Sequence, residues 1–121
     1  MEINKVVENK VEIAVVKSSE VLITDVQSAL DLIATVSYET GCDAMILDKP
    51  SIVEEFFDLK TKLAGEVLQK YINYRMKLAI VGDFSGYTSK SLRDFIYESN
   101  NGKNIFFLSS EKEALEKLSR V

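Results

Sequence analysis

Three carboxylates, Asp48, Asp58 and Asp83, stand in stretches that also carry hydroxyl and lysine side chains, and this is the chemistry the sequence offers. A carboxylate beside a bound substrate can act as a general base. Thr61, Thr88, Ser89 and Ser110 fall at expected helix starts, where free backbone amides and the positive end of the helix dipole favour phosphate or carboxylate. Lys49, Lys62, Ser85 and Ser109 share those stretches. Each residue also has a plainer reading. Ser and Thr cap helices in any protein. Asp48 and Asp83 suit strand ends or Asx turns, and Lys60-Thr61-Lys62 suits a solvated turn. The loop Gly82-Asp83-Phe84-Ser85-Gly86-Tyr87 is long for so small a domain, and its two aromatics need burial or a partner.

Composition removes several chemistries. The 121 residues include no histidine and one cysteine, Cys42. Ser-His-Asp and Cys-His mechanisms therefore fall away, and so do most zinc sites. No cofactor and no metal site is assigned: no G-x-G-x-x-G follows a strand and there is no P-loop, and of the metals only magnesium held by carboxylates alone stays open. Cys42 cannot form an internal disulfide, which points to a reducing compartment. Next to Asp43 it reads as a buried structural thiol. A net charge of −4 speaks against nucleic acid as a partner. The first residues, Met1-Glu2-Ile3-Asn4-Lys5, lack a signal-peptide pattern, and no apolar run matches a membrane span. A cytoplasmic protein without a membrane partner is the expectation.

The elements that must position these side chains follow from periodicity. Residues 2–7 and 11–17 read as two strands joined by the polar turn Glu8-Asn9-Lys10, too short for a crossover, so they pair antiparallel. Thr24-Asp25-Val26-Gln27 reads as a capping box opening a helix with Val26, Ala29, Leu30, Ile33 and Val36 on one face, ended by Gly41. Residues 43–48 form a buried strand. Ser51-Ile52-Val53-Glu54 reads as a second capping box, for a short helix through Phe57, with Phe56 and Phe57 in the core. Asp58 or Thr61 then caps a longer helix facing inward through Leu63, Val67, Leu68, Tyr71 and Ile72. Tyr71, Tyr74 and Arg75 suit an interface, or more simply a packed Tyr71 beside a half-exposed Tyr74.

Residues 77–82 are the clearest buried strand. A helix capped near Thr88 or Ser89 follows, with Leu92, Phe95 and Ile96 inward. Residues 104–108 make the last strand, and Ser110-Glu111-Lys112-Glu113 reads as a third capping box that opens the last helix, with Ala114, Leu115 and Leu118 inward. The order is ββαβ(α)αβαβα: one α/β domain over 1–121, with a mixed, mostly parallel five-stranded sheet that starts in an antiparallel hairpin.

Particular segments resemble the bacterial domain-of-unknown-function 4180 family. They are Asp25-Val26-Gln27-Ser28-Ala29-Leu30-Asp31-Leu32-Ile33-Ala34, Phe56-Phe57-Asp58-Leu59, Leu63-Ala64-Gly65-Glu66, Lys77-Leu78-Ala79-Ile80-Val81-Gly82-Asp83-Phe84, Thr88-Ser89-Lys90-Ser91-Leu92 and Asp94-Phe95-Ile96. At longer range the element order is similar to the STAS fold of bacterial anti-sigma-factor antagonists. That resemblance implies docking to a partner and a switch hydroxyl near the start of the second main helix, where Thr61 falls closest. It replaces the short Asp-Ser/Thr-Gly-Leu-like loop of that fold with Asp58-Leu59-Lys60-Thr61-Lys62-Leu63 after an insertion of Ser51 to Leu59.

Two functions stay open on the sequence. The first is a non-catalytic regulatory or interaction module that binds a protein partner or its own copy, as a homodimer, through Asp58, Thr61, Lys62, Asp83, Phe84, Ser85, Tyr87 and Ser89. The second is a small enzyme or anionic-ligand binder built on Asp48, Lys49 and Thr88 with Asp58 or Asp83. Asp48-Lys49-Pro50 also tempts a phospho-acceptor reading. That reading requires an acidic pair after an early strand and a lysine after the last, where this chain has Lys17-Ser18-Ser19-Glu20 and Ser109-Ser110.

Overall fold

A computed structural model describes residues 1–121. The chain opens with strands β1 (Glu2–Glu8) and β2 (Val11–Lys17), paired antiparallel from Glu2 opposite Lys17 to Glu8 opposite Val11. Asn9 and Lys10 turn the hairpin with φ of 51° and 68°, the left-handed pair that suits the twist of a two-residue turn. Three further strands follow: β3 (Ala44–Asp48), β4 (Lys77–Val81) and β5 (Ile105–Leu108). The sheet order is β1-β2-β3-β4-β5, and β2 to β5 run parallel. All four parallel strands therefore end along one edge, where the candidate residues collect.

Period-two alternation splits each inner strand between two cores. Ala14, Val16, Met45, Leu47, Leu78, Ile80, Ile105 and Phe107 face the larger core. Helices α1 (Val26–Thr40), α2 (Leu63–Asn73) and α3 (Lys90–Asn100) lie on that side. Connections that all advance one strand in the same direction, with one handedness, put their helices on one face. Ile13, Val15, Ala44, Ile46, Ala79 and Phe106 face the other way and are covered by Ala114 and Leu118 of α4 (Glu111–Leu118). Burial on both faces explains why the inner strands read as unbroken apolar runs.

The element order and the sheet match the sequence reading, and several local expectations need correction. Asp25, not Thr24, caps α1: its carboxylate accepts from Ser28 N–H at 2.8 Å, and its own N–H donates to Ser28 Oγ at 3.1 Å. The reciprocal partner is Ser28, one residue beyond Gln27. Leu32 replaces Leu30 on the buried face of α1, and Gly41 ends the helix in the left-handed region at φ 69°. Ser51 caps nothing. It is buried at the end of a 3-10 turn, Lys49–Ser51, and its carbonyl accepts from Leu22 N–H and Ile23 N–H at 2.7 and 3.0 Å.

The short helix through Phe57 is a second 3-10 turn, Glu54–Phe57, and a third follows at Leu59–Thr61. Phe56 and Phe57 are both buried, as expected. Ile72 faces solvent, and Ala64 takes the buried position instead. Cys42 is buried. No helix is long and apolar enough to cross a membrane.

Tyr71 is no interface residue. Its ring is fully buried and its hydroxyl donates to Met45 Sδ at 3.4 Å. Burial pushes its pKa well above the ordinary phenol value. A thioether is a weak acceptor, so little is lost if the hydroxyl is removed. Tyr71→Phe is expected to change the unfolding free energy by less than about 1 kcal/mol in a urea melt. A loss above about 2 kcal/mol would mean that the hydroxyl holds the core together.

Candidate functional site

The ends of β2 and β3 carry the first group of polar side chains. Lys17 closes β2, and its ammonium lies 3.1 Å from Asp48 at the end of β3 and 3.0 Å from Glu111 at the start of α4. Burial lowers the Lys17 pKa, but hydrogen bonds to Glu111 and Asp48 and the charges of both carboxylates outweigh it, so the net shift is upward. Asp48 is thus tied to a cation. The Lys17 knot ties the ends of β2 and β3 to the start of α4 on the α4 side of the sheet, and its three residues line neither cleft described below.

Lys49 organises the second group. Just beyond the paired ends of β3 and β4 the two chains run so close that a Cβ on Gly82 would lie 2.6 Å from Lys49 Cβ. This places the Lys49 ammonium 5.3 Å from the Phe57 ring centroid and 5.1 Å from that of Tyr87, with Glu54 at 3.7 Å. Tyr87 stacks on Phe57 with centroids 5.4 Å apart and 21° between planes, and its hydroxyl donates to Glu54 at 2.7 Å. Phe84 lies 6.0 Å from Phe57 and 5.5 Å from Phe107. The two loop aromatics noted in the sequence therefore find burial against Phe57 and β5. The Tyr87 side chain, opposed by burial and helped by Glu54, raises the Lys49 pKa. Tyr87 itself is raised, by burial first, against the nearby ammonium.

The remaining candidates hold the backbone in shape. Asp58 caps the turn Leu59–Thr61 by accepting from Lys60 N–H at 3.1 Å. The Thr61 hydroxyl lies 2.9 Å from the Glu55 carbonyl and 2.8 Å from the Asp58 carbonyl, and accepts from Leu63 N–H at 3.2 Å. Lys62 starts α2 at φ 65°, a conformation strained for a residue with a Cβ. Asp83 accepts from Ser85 N–H at 2.9 Å and from Ser85 Oγ at 2.6 Å, an Asx turn whose bonds lower its pKa, the hydroxyl bond first. Ser89, rather than Thr88, caps α3 by accepting from Leu92 N–H at 3.2 Å. Ser110 caps α4, accepting from Glu113 N–H at 3.1 Å. The Glu113 carboxylate turns to Ser109 Oγ at 2.7 Å instead of closing the box.

These residues are divided between two clefts on either side of the 83–88 loop. The first, about 460 Å³, has Asp58, Tyr87, Thr88 and Ser89 in its wall, with Phe57, Leu59 and Leu92 as apolar surface and Glu54 and Glu55 on the rim. The second, about 620 Å³, contains Asp83 and Phe84 together with Ile96, Asn100 and Phe107. Thr61, Lys62, Asp48 and Lys49 line neither.

Sequence reasoning passed over Lys17, Glu54, Glu55, Asn100 and Glu111. Asn100 accepts from Phe107 N–H at 2.7 Å and donates to Phe107 O at 3.0 Å, which occupies the outer edge of β5. Lys17 had a signal, since it sits at a strand's carboxyl end with acids at two equivalent positions. Glu54 had none beyond its place in a false capping box.

A family model described as a domain of unknown function, DUF4180, matches residues 8–118. The chain belongs to that family. No curated protein and no solved structure matches it.

Proposed function

We propose that this chain is a non-catalytic interaction module that docks a segment of a protein partner in the first cleft. The observation that carries the reading is the composition of that cleft: half-buried Leu59 and Tyr87 over a floor of buried Phe57 and Leu92, rimmed by exposed Glu54, Glu55 and Asp58. Such a surface suits a partner segment with an apolar residue beside a basic one. Burial of apolar area supplies affinity, and the carboxylates supply steering and register.

The fate of the polar groups supports the same reading. Asp48 is spent on Lys17, Asp58 and Ser89 on caps, Asp83 on Ser85, and Thr61 on two carbonyls. Phosphorylation of Thr61 would have to break the turn before α2, which turns the switch reading into an unfolding event. The anionic-ligand reading is weakened by charge: the start of α3 shares its cleft with three carboxylates, and these repel an anion. The element order, similar to that of STAS domains, also favours a docking role.

Site-specific photo-crosslinking tests the proposal. A benzoylphenylalanine at Leu59 is expected to give a discrete adduct in the producing cell, lost when Glu55→Lys is added. Adducts that ignore Glu55→Lys would refute the cleft. An adduct of twice the 13.6 kDa chain would identify the partner as a second copy.

A further inference from the structure

We propose that residues 83–88 form a lid over Phe57, held shut by a side-chain clasp of Lys49, Glu54 and Tyr87. The inference rests on the docking reading for its biological use, but its geometry is independent of any partner.

The two walls of the first cleft are fastened in different ways. The 49–62 wall is tied to the body by its backbone at residues 51–53. Ile23 and Ile52 form a parallel bridge, Val53 N–H donates to Ile23 O at 2.9 Å, and Ser51 O accepts from Leu22 and Ile23. Phe56, fully buried, anchors the same wall. The 83–88 wall has no such tie. Its one backbone–backbone hydrogen bond runs within the loop, from Tyr87 N–H to Phe84 O at 3.4 Å, and its Asx turn is also internal. Both ends are fixed: Gly82 N–H donates to Leu108 O at 3.0 Å, and Ser89 caps α3. Between them the loop touches the body through Phe84, on Phe57 and Phe107, and through Tyr87, on Phe57, Glu54 and Lys49.

A segment with no backbone bond to its surroundings opens without disturbing the sheet beneath it. The clasp groups suit release, because Glu54 is 69% exposed and water can replace its bond to Tyr87. Opening lifts Tyr87 from Phe57, widens the cleft and presents the Phe57 ring to an incoming apolar side chain. The lid thus sets how often the docking cleft is open.

Fluorine NMR on the full chain labelled with 3-fluorotyrosine tests this without a partner. The chain has five tyrosines, and the Tyr87 line is identified by its loss in Tyr87→Phe. The Tyr87 line is expected to show microsecond-to-millisecond exchange broadening, whereas that of buried Tyr71 does not. Glu54→Gln, at an exposed position, is expected to raise the open fraction about threefold or more, and Lys49→Met likewise. A Tyr87 line free of exchange, or an open fraction unchanged by Glu54→Gln, overturns the lid. That result leaves the crosslinking test of the cleft standing on its own.

Discussion

Replacing Phe57 with alanine is expected to cost about 3–5 kcal/mol of unfolding free energy, the range for removing a buried aromatic ring. The ring is 4% exposed and is the shared surface for Phe56, Phe84, Tyr87 and the Lys49 ammonium. Its loss leaves a cavity between the 83–88 loop and the 49–62 segment, whose start is held to Ile23 by backbone bonds at Ser51 and Val53. Domains of this size are stable by about 5–15 kcal/mol, so the variant sits close to unfolding. Urea melts of Phe57→Ala, Tyr87→Ala and the double variant should give a coupling of about 0.5–1.5 kcal/mol between the stacked rings. A single-variant loss under about 1 kcal/mol would contradict the packing described here.

Gly82→Ala gives the second large effect, from one methyl group. The new Cβ would lie 2.6 Å from Lys49 Cβ, 3.1 Å from its Cδ and 3.4 Å from its Cγ. A Cβ cannot swing aside as a side-chain terminus does, so the turn at Lys49–Ser51 must shift. Overpacking of this kind costs about 1–3 kcal/mol. Gly65→Ala is the matched control. Gly65 lies within α2 with open space around it, so the same methyl there should stabilise by about 0.5–1 kcal/mol through helix propensity. Thermal or urea melts should therefore separate the two variants in opposite directions. Equal effects, or a neutral Gly82→Ala, would mean that Lys49 does not press on β4 as found.

The contrast between these glycines shows what the sequence could reveal. Period-two and helical patterning located every strand and helix, and β2 was read at its observed bounds, because burial on a defined face leaves its mark on consecutive residues. The start of α1 slipped by one residue, since Thr24 and Asp25 are both competent caps and only the position of Ser28 decides between them. The wall at 49–62 was harder. Its shape depends on a bridge between Ile23 and Ile52, distant in sequence, and on a close approach between Lys49 and Gly82. Neither leaves a local pattern.

The candidate residues were legible as a set, because strand ends and helix starts fall at one edge of a parallel sheet. Their partners were not, because Lys17 with Glu111 and Tyr87 with Glu54 meet only through the fold. Those pairings put Asp48, a candidate base, in an ion pair with Lys17, and Tyr87, a candidate interaction residue, on Phe57 with its hydroxyl on Glu54.

The most direct test of the docking cleft is photo-crosslinking from position 59 in cells, in the wild-type background and with Glu55→Lys, with position 38 as the control. Tyr38 is exposed on α1, outside the cleft. The account predicts a discrete adduct from position 59 that charge reversal abolishes and that position 38 does not give. Adducts of equal yield from both positions, or a position-59 adduct indifferent to Glu55→Lys, would contradict it.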